Sequence, residues 1–279
     1  MKSMSERMIS RIAPTPSGFL HLGNLYNFVL TRNAVREANG TLWLRIDDCD
    51  ATRMRMEYLD DLFETLEWLG IRWDQGPRSV QEFLSRDSQS LRKAEYFSKL
   101  DQIPHYACDC SRQQIKARTP LAYDGHCDGR NLPFEAGKTA IRARLPHSPH
   151  PVIWTKDDLP AYHWVSLWDD LRLGTTHIVR GEDLRESTRI QIELAAESSD
   201  ETAQKNYLTI RYAFHPLVTG PDGAKLSKSV LAQSLPASDS NILASLRHDR
   251  RLGRSPDEIF SCLPPLPPLQ WESSFSFLE

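Results

Sequence analysis

Two stretches of the chain carry the residue types that nucleotide chemistry needs. Lys225 and Lys228 flank the small hydroxyl residue Ser227, just after a turn of Gly220, Pro221, Asp222 and Gly223. Such a turn makes a mobile loop, and its lysines could clamp a polyphosphate. A lysine–serine loop is more often a solvated surface feature, so the signal needs a partner. That partner is Pro14-Thr15-Pro16-Ser17-Gly18-Phe19-Leu20-His21-Leu22-Gly23-Asn24, near the other end. Gly18 and Gly23 let a ligand approach the backbone closely, and a helix starting near Leu22 offers its first N–H groups to an anion. His21 alone could be a satisfied structural histidine. With Asn24 one turn on and a proline–glycine loop before it, a phosphate contact is the stronger reading. The chain has neither G-x-G-x-x-G nor G-x-x-x-x-G-K-[ST], which excludes a dinucleotide fingerprint and a P-loop.

Two further clusters could do chemistry. Asp47, Asp48 and Asp50 follow a strand candidate. They are either a solvated acidic turn or a site for a cation such as an α-amine, or for a ribose hydroxyl. Cys108, Cys110 and Cys127 are three of the five cysteines, too few and too clustered for a disulfide framework. Zn²⁺ takes four tetrahedral ligands, thiolate or imidazole above all, so a fourth is needed from Tyr123 or His126. Imidazole is the commoner ligand, but His126 is adjacent to Cys127, which strains a shared tetrahedron. Three reduced thiols without metal are the bland alternative.

The elements that would position these residues read as α/β. Ile9 to Ala13 is a short strand, Leu25, Phe28, Val29, Ala34, Val35 and Ala38 follow helical spacing, Gly40 stops the helix, and Thr41 to Ile46 is a buried strand. This is a right-handed βαβ unit, and its first loop lies where open parallel sheets bind ligands, beyond a strand's carboxyl end. Glu57 to Gly70 is a second amphipathic helix and Leu91 to Leu100 part of a third. Lys138–Leu145, Val152–Trp154 and Thr175–Arg180 are strands, and Ser187–Glu197 is helical. Tyr162 to Asp170 fits either a helix or a strand. Tyr207–Ile210 and Pro216–Thr219 lead into the lysine loop. Arg247, Arg250, Arg251 and Arg254 form a basic cluster, a solvated helix face or an RNA contact. Leu263 to Pro268 is proline-rich and is expected to end the folded part.

At 279 residues and a net charge of −3, the chain has no global pull toward nucleic acid. It has no apolar run near the ~18 residues of a membrane span and no signal-peptide core at its N-terminus. A cytoplasmic monomer is expected. The expected organisation is a catalytic core over 1–235, with an inserted zinc-binding subdomain at about 101–150, and a short helical and proline-rich remainder over 236–279.

Arg11-Ile12-Ala13-Pro14-Thr15-Pro16-Ser17-Gly18-Phe19-Leu20-His21-Leu22-Gly23-Asn24 resembles the HIGH region of class I aminoacyl-tRNA synthetases, in the form of the glutamyl and glutaminyl branch. Lys225–Ser229 resembles the KMSKS loop of that family. Arg45-Ile46-Asp47-Asp48 and Val179-Arg180-Gly181-Glu182-Asp183-Leu184 resemble two further blocks, in the family's order. The resemblance implies a Rossmann-type parallel sheet. So little chain follows the lysine loop that an anticodon-binding domain is not expected. The chain thus resembles the truncated paralogues of the branch, which attach glutamate to the queuosine base of tRNA(Asp).

The resemblance also implies roles. His21 and Asn24 would contact ATP phosphates, with Pro14, Gly18 and Gly23 beside the nucleotide. Lys228, supported by Lys225, would hold the β- and γ-phosphates as pyrophosphate leaves, and Mg²⁺ would accompany ATP. Arg11, Ala13, Thr15, Asp47, Tyr162 and Arg180 would line the amino-acid pocket, with Trp164 and Trp168 making its wall bulky. The metal set would be Cys108, Cys110, Tyr123 and Cys127. One departure stands out. The family has Glu, a ligand of the substrate's α-amine, where this chain has Asp47, which withdraws the carboxylate by about 1.5 Å. A stand-alone ligase for another amino acid or acceptor is therefore the alternative, and a non-catalytic RNA-binding or regulatory remnant is the alternative of another class.

Overall fold

The computed structural model describes residues 7–49, 54–119, 122–218 and 246–278. Asp50 and the lysine loop with Lys225 and Lys228 lie outside the described residues. The chain forms two compact units. The first comprises Met1–Ser88, Thr175–Arg185 and Arg211–Glu272, and the second comprises Gln89–Gly174, Glu186–Ile210 and Ser273–Glu279.

In the first unit, β1 (Ile9–Ile12), α1 (Leu22–Glu37) and β2 (Thr41–Leu44) form the expected βαβ unit, with β1 and β2 parallel and Ile9 opposite Thr41. Leu25, Phe28, Val29 and Val35 of α1 are buried in the core with Ile12, Leu42 and Leu44. The turn after α1 has a different basis from the one expected. Asn39, not Gly40, takes the left-handed conformation, at φ 49°. Gly40 is required because a Cβ there would lie 2.4 Å from the Met8 carbonyl oxygen. Residues Leu59, Leu62, Leu66 and Leu69, on and just after α2 (Met56–Trp68), complete this core.

The second unit contains an antiparallel meander of β3 (His105–Cys108), β4 (Ala140–Ala143) and β5 (Val152–Trp154). Two helices precede β4: α3 (Lys93–Ser98) and, after Cys110, α4 (Arg112–Arg118). The undecided Tyr162 run is the helix α5 (Tyr162–Arg172). Trp164 and Trp168 of α5 are buried in this unit. Trp164 donates from Nε1 to the Tyr96 carbonyl at 2.9 Å and stacks edge-on with Trp168. The same helix brings Asp169 into a buried network, where it accepts from Gln89 at 2.9 Å, Arg92 at 3.0 Å and Tyr96 at 2.7 Å.

The first unit also holds β6 (His177–Gly181) and β7 (Arg211–His215), and the chain between them forms α6 (Arg185–Ala196) and α7 (Glu201–Leu208), which belong to the second unit except for Arg185. β6 and β7 are parallel, Arg180 facing Phe214 in register. The Ile9 and Thr176 backbones tie the start of β1 to that of β6, through Thr176 N–H to Ile9 O at 2.9 Å. The sequence reading missed both α7 and β7. Lys205 and Asn206 interrupt the apolar pattern there, and Tyr212, Ala213 and His215 are buried without strict alternation.

After the lysine segment come α8 (Leu246–Arg251) and α9 (Pro256–Ser261). The folded part does not end at the prolines. Trp271 packs on the first unit's core and stacks edge-on with His177 at 4.8 Å, and Ser274 is buried in the second unit. Of the basic cluster, Arg247 and Arg250 pair with carboxylates of α2, whereas Arg251 and Arg254 are exposed.

Candidate active site

In the first unit the candidate residues gather at the carboxyl ends of parallel strands. The β1–β2 ladder runs on past the strands, with Arg45 N–H donating to Ile12 O at 3.0 Å and Asp47 N–H to Pro14 O at 2.9 Å. The loop after β1 and the acidic turn after β2 therefore run side by side. That places Pro14 and Thr15 next to Asp47. Ala13 is half-buried, Pro14 buried and Thr15 exposed.

His21 is the N-cap of α1. The Gly23 N–H donates to its Nδ1 at 3.1 Å, and its own N–H donates to Asn24 Oδ1 at 3.1 Å. With Nδ1 accepting, the neutral ring carries its proton on Nε2. The cap thus fixes the tautomer and makes Nε2–H a donor at a helix N-terminus, where the backbone N–H groups also favour an anion. Gly18 is half-buried in the preceding loop.

The acidic turn is not solvated, because Asp47 and Asp48 are both buried. Asp48 accepts from the Ser88 hydroxyl at 2.5 Å. Asp47 is gripped in two-point fashion by Arg45, Nε to Oδ1 at 2.6 Å and Nη2 to Oδ2 at 3.1 Å. Sequence reasoning passed over Arg45 as Asp47's partner. The available signal was its spacing, two residues from Asp47 on the extended backbone after β2.

Arg11 on β1 and Arg180 on β6 are buried arginines. The Arg180 guanidinium lies over the Tyr212 ring, 5.9 Å from its centroid. Tyr162, the sixth expected pocket residue, opens α5 in the second unit, whereas Arg11, Ala13, Thr15, Asp47 and Arg180 belong to the first. His215, just before the Pro216–Thr219 run, was not singled out in the sequence. It closes β7 as a buried residue, its ring within hydrogen-bonding distance of Asn27 Nδ2 at 3.2 Å and Pro216 O at 2.8 Å. Burial pushes its pKa below the ordinary 6.5, although the bond to Pro216 and the charges of Asp183 and Glu182 oppose this.

The thiols of the second unit converge as their spacing suggests. The Cys108, Cys110 and Cys127 sulfurs lie within 4.8 Å of one another, Cys110 and Cys127 at 3.4 Å. Ligands 2.3 Å from a tetrahedral Zn²⁺ would sit about 3.8 Å apart, so the cluster has a suitable size. Tyr123 Oη is 3.4 Å from Cys108 Sγ and accepts the Cys127 N–H at 2.9 Å. His126 is exposed and is not part of the convergent group. The donor set therefore fits a metal, with Tyr123 rather than His126 beside the thiols.

Three arginines surround the cluster. Arg118 Nη2 donates to Cys110 Sγ at 3.3 Å, Arg130 Nη1 to Cys127 Sγ at 3.3 Å, and Arg142 lies 3.8 Å over the Tyr123 ring. Burial opposes ionisation of Cys108, but the bonds from Tyr123 and Arg142 outweigh it and leave the thiol below its usual value. Burial instead holds Cys110 above that value, despite Arg118. No motif flagged these arginines, although Arg130 lies only three residues from Cys127 and Arg118 eight from Cys110.

Comparison with known proteins gives a consistent family. Residues 7–125 match the family model for class I tRNA synthetases (E and Q), catalytic domain. The chain is 34% identical to the glutamyl-Q tRNA(Asp) synthetase of Pseudomonas putida (strain W619), over 90% of this chain and 86% of that protein. It is 29% identical to a glutamate–tRNA ligase of Thermodesulfovibrio yellowstonii, spanning 78% of this chain but only 50% of that one. Among solved structures, the glutamate–tRNA synthetase of Elizabethkingia anophelis superposes with a TM-score of 0.64 at 24% identity, over 80% of this chain and 53% of that one, a likeness of fold. The chain therefore spans about half the length of the glutamate–tRNA ligases it matches and most of the length of the glutamyl-Q synthetases. With a βαβ core, a capped His21 at the carboxyl end of β1 and relatives that agree over most of their length, the chain belongs to the class I tRNA synthetases of the glutamate and glutamine branch, within the glutamyl-Q tRNA(Asp) synthetase family.

Proposed function

We propose that this chain activates glutamate with ATP, without tRNA, and transfers the glutamyl group to the queuosine base of tRNA(Asp). The observation that carries the reading is the capped His21. Its cap, with the Gly23 N–H on Nδ1, leaves Nε2–H as the ring's donor at the N-terminus of α1, in the loop that follows β1. A phosphate there would meet a neutral donor, a helix N-terminus and the glycine-containing loop with Gly18 and Gly23. Glutamate's carboxylate would attack the α-phosphate and pyrophosphate would leave. Such a reaction depends on orientation and charge stabilisation. His21 and Asn24 would hold the phosphates, and Lys228, with Lys225, would neutralise the departing pyrophosphate. Mg²⁺ would accompany ATP as a shield for its phosphate charge. Arg180 and Arg11, buried in the same unit, suit a substrate carboxylate, since guanidinium forms a two-point bond with that group.

Cys108, Cys110, Cys127 and Tyr123 would hold Zn²⁺ in a structural role that fixes the loops around β3 and α4. Among the described residues no helix is long and apolar enough to cross a membrane, in keeping with a cytoplasmic tRNA-modifying enzyme. A monomer is the simplest form of such an enzyme.

ATP–pyrophosphate exchange with a panel of amino acids tests the first step, and labelled-glutamate transfer to tRNA(Asp) with and without queuosine tests the second. Exchange with glutamate but equal labelling of both tRNAs would overturn the acceptor. The Arg45–Asp47 pair favours one second reading. A carboxylate already held by an arginine is a weaker ligand for an α-amine, so a ligase for another amino acid would show exchange with that compound and none with glutamate.

A further inference from the structure

α8, where the chain re-enters the described structure after the lysine segment, meets the loop that carries His21. The Leu246 N–H donates to Leu20 O at 2.8 Å, one residue before His21, and Leu246 is buried in the same core as Leu20. The next residue, Arg247, lays its guanidinium over the Phe19 ring at 4.4 Å. Phe19 stands edge-on to Tyr58 of α2 at 4.9 Å, and Arg55 caps the stack 5.7 Å over Tyr58.

The same arginine is ion-paired to α2. Arg247 pairs with Glu57 and lies 3.7 Å from Asp61, while Arg250 reaches Asp61 at 2.9 Å and Glu64 at 2.7 Å. Glu57, Asp61 and Glu64 are spaced four and three residues apart, so they share one face of α2. Asp61 is buried and accepts from Thr65 at 3.4 Å, so its charge relies on the two arginines. Two arginines on one short helix against three carboxylates on another form a network, which carries more than an isolated surface pair.

We propose that Arg247, backed by Arg250, is a positioning residue for the nucleotide step. Through α2 it clamps Phe19 and Leu20, and so fixes the entry into α1 and the placement of the His21 cap. This rests on the reading of His21 as the phosphate contact. Arginine suits this place better than lysine, because its planar fork can stack on Phe19 while it bonds to a carboxylate.

Amide hydrogen exchange over residues 17–25 tests the clamp directly, on the full chain, in Arg247→Met and Arg250→Met. Arg247→Met is expected to exchange about tenfold faster there while the rest of the first unit keeps its protection. In ATP–pyrophosphate exchange the same variant should raise KM for ATP about tenfold and leave KM for glutamate within about twofold. Arg247→Glu with Glu57→Arg should not restore the protection, because a carboxylate at 247 cannot stack on Phe19 and would face Asp61. If Arg247→Met does not fold, Arg247→Lys, which keeps the charge and loses the fork, should give an intermediate exchange rate. Wild-type protection over 17–25 in Arg247→Met or Arg247→Lys would overturn the clamp. Wild-type protein that shows no exchange with any amino acid would overturn the proposed function, while the amide measurement would still decide the clamp.

Discussion

At the strand ends, two key side chains are held by neighbours two residues away: His21 by the Gly23 N–H, Asp47 by Arg45. In the second unit, Cys108, Cys110 and Cys127 come from a strand end, a helix start and a separate loop, and their sulfurs converge. The first arrangement orients individual groups toward a ligand that brings its own charges. The second gathers donors around a point and surrounds them with Arg118, Arg130 and Arg142. A site that binds transiently must keep its geometry without its ligand, so local bonds do that work. Zinc at the proposed thiol site would set its own geometry, with Arg118 and Arg130 beside the sulfurs.

The comparison can be broken or sharpened at four points. Cys127→Ser should have the largest effect. Metal analysis should find about one zinc per chain in the wild type and none in the variant, with a lower melting temperature. A folded, zinc-free wild type would remove the metal side of the contrast. His21→Ala should cost about 10²–10³-fold in pyrophosphate exchange with the melting temperature little changed, as expected of a group aimed at a ligand. An unchanged rate would mean that His21 only caps α1.

Asp47→Glu restores the longer carboxylate arm, and KM for glutamate should fall by about tenfold if Arg45 now holds the shorter side chain back. A rise in KM would mean that Asp47 already makes the contact. The smallest effect concerns His215. Its folded-state pKa is lowered, so the stability drawn from the neutral ring is complete above the ordinary value of 6.5. It declines as the pH falls from there toward the ring's own lowered value, because the unfolded chain takes up the proton first. An NMR titration of the imidazole that places its pKa at or above the ordinary value would contradict this.

Much of the first unit was legible because local signals agreed. A Pro–Gly loop, a 3.6-residue apolar period and a buried strand in succession define a βαβ unit, and its ligand loop follows from topology. The thiol spacing was legible for the same reason, as ligand chemistry restricts the residue types. What stayed hidden depended on contacts between distant segments. Ligand chemistry alone left Tyr123 and His126 open, and only the family resemblance pointed to Tyr123, the ring that lies beside the sulfurs. Trp164 bonds to the carbonyl of Tyr96, some seventy residues away in sequence. The arginines near residue 250 read as exposed because their carboxylate partners lie on α2, far earlier in the chain.

The central claim is that the capped His21 and its surroundings form glutamyl-adenylate. ATP–pyrophosphate exchange by the zinc-loaded full chain, without tRNA, tests it most directly. Exchange that depends on glutamate and is lost in His21→Ala is the expected result. A folded, zinc-loaded protein that gives no glutamate-dependent exchange would contradict it.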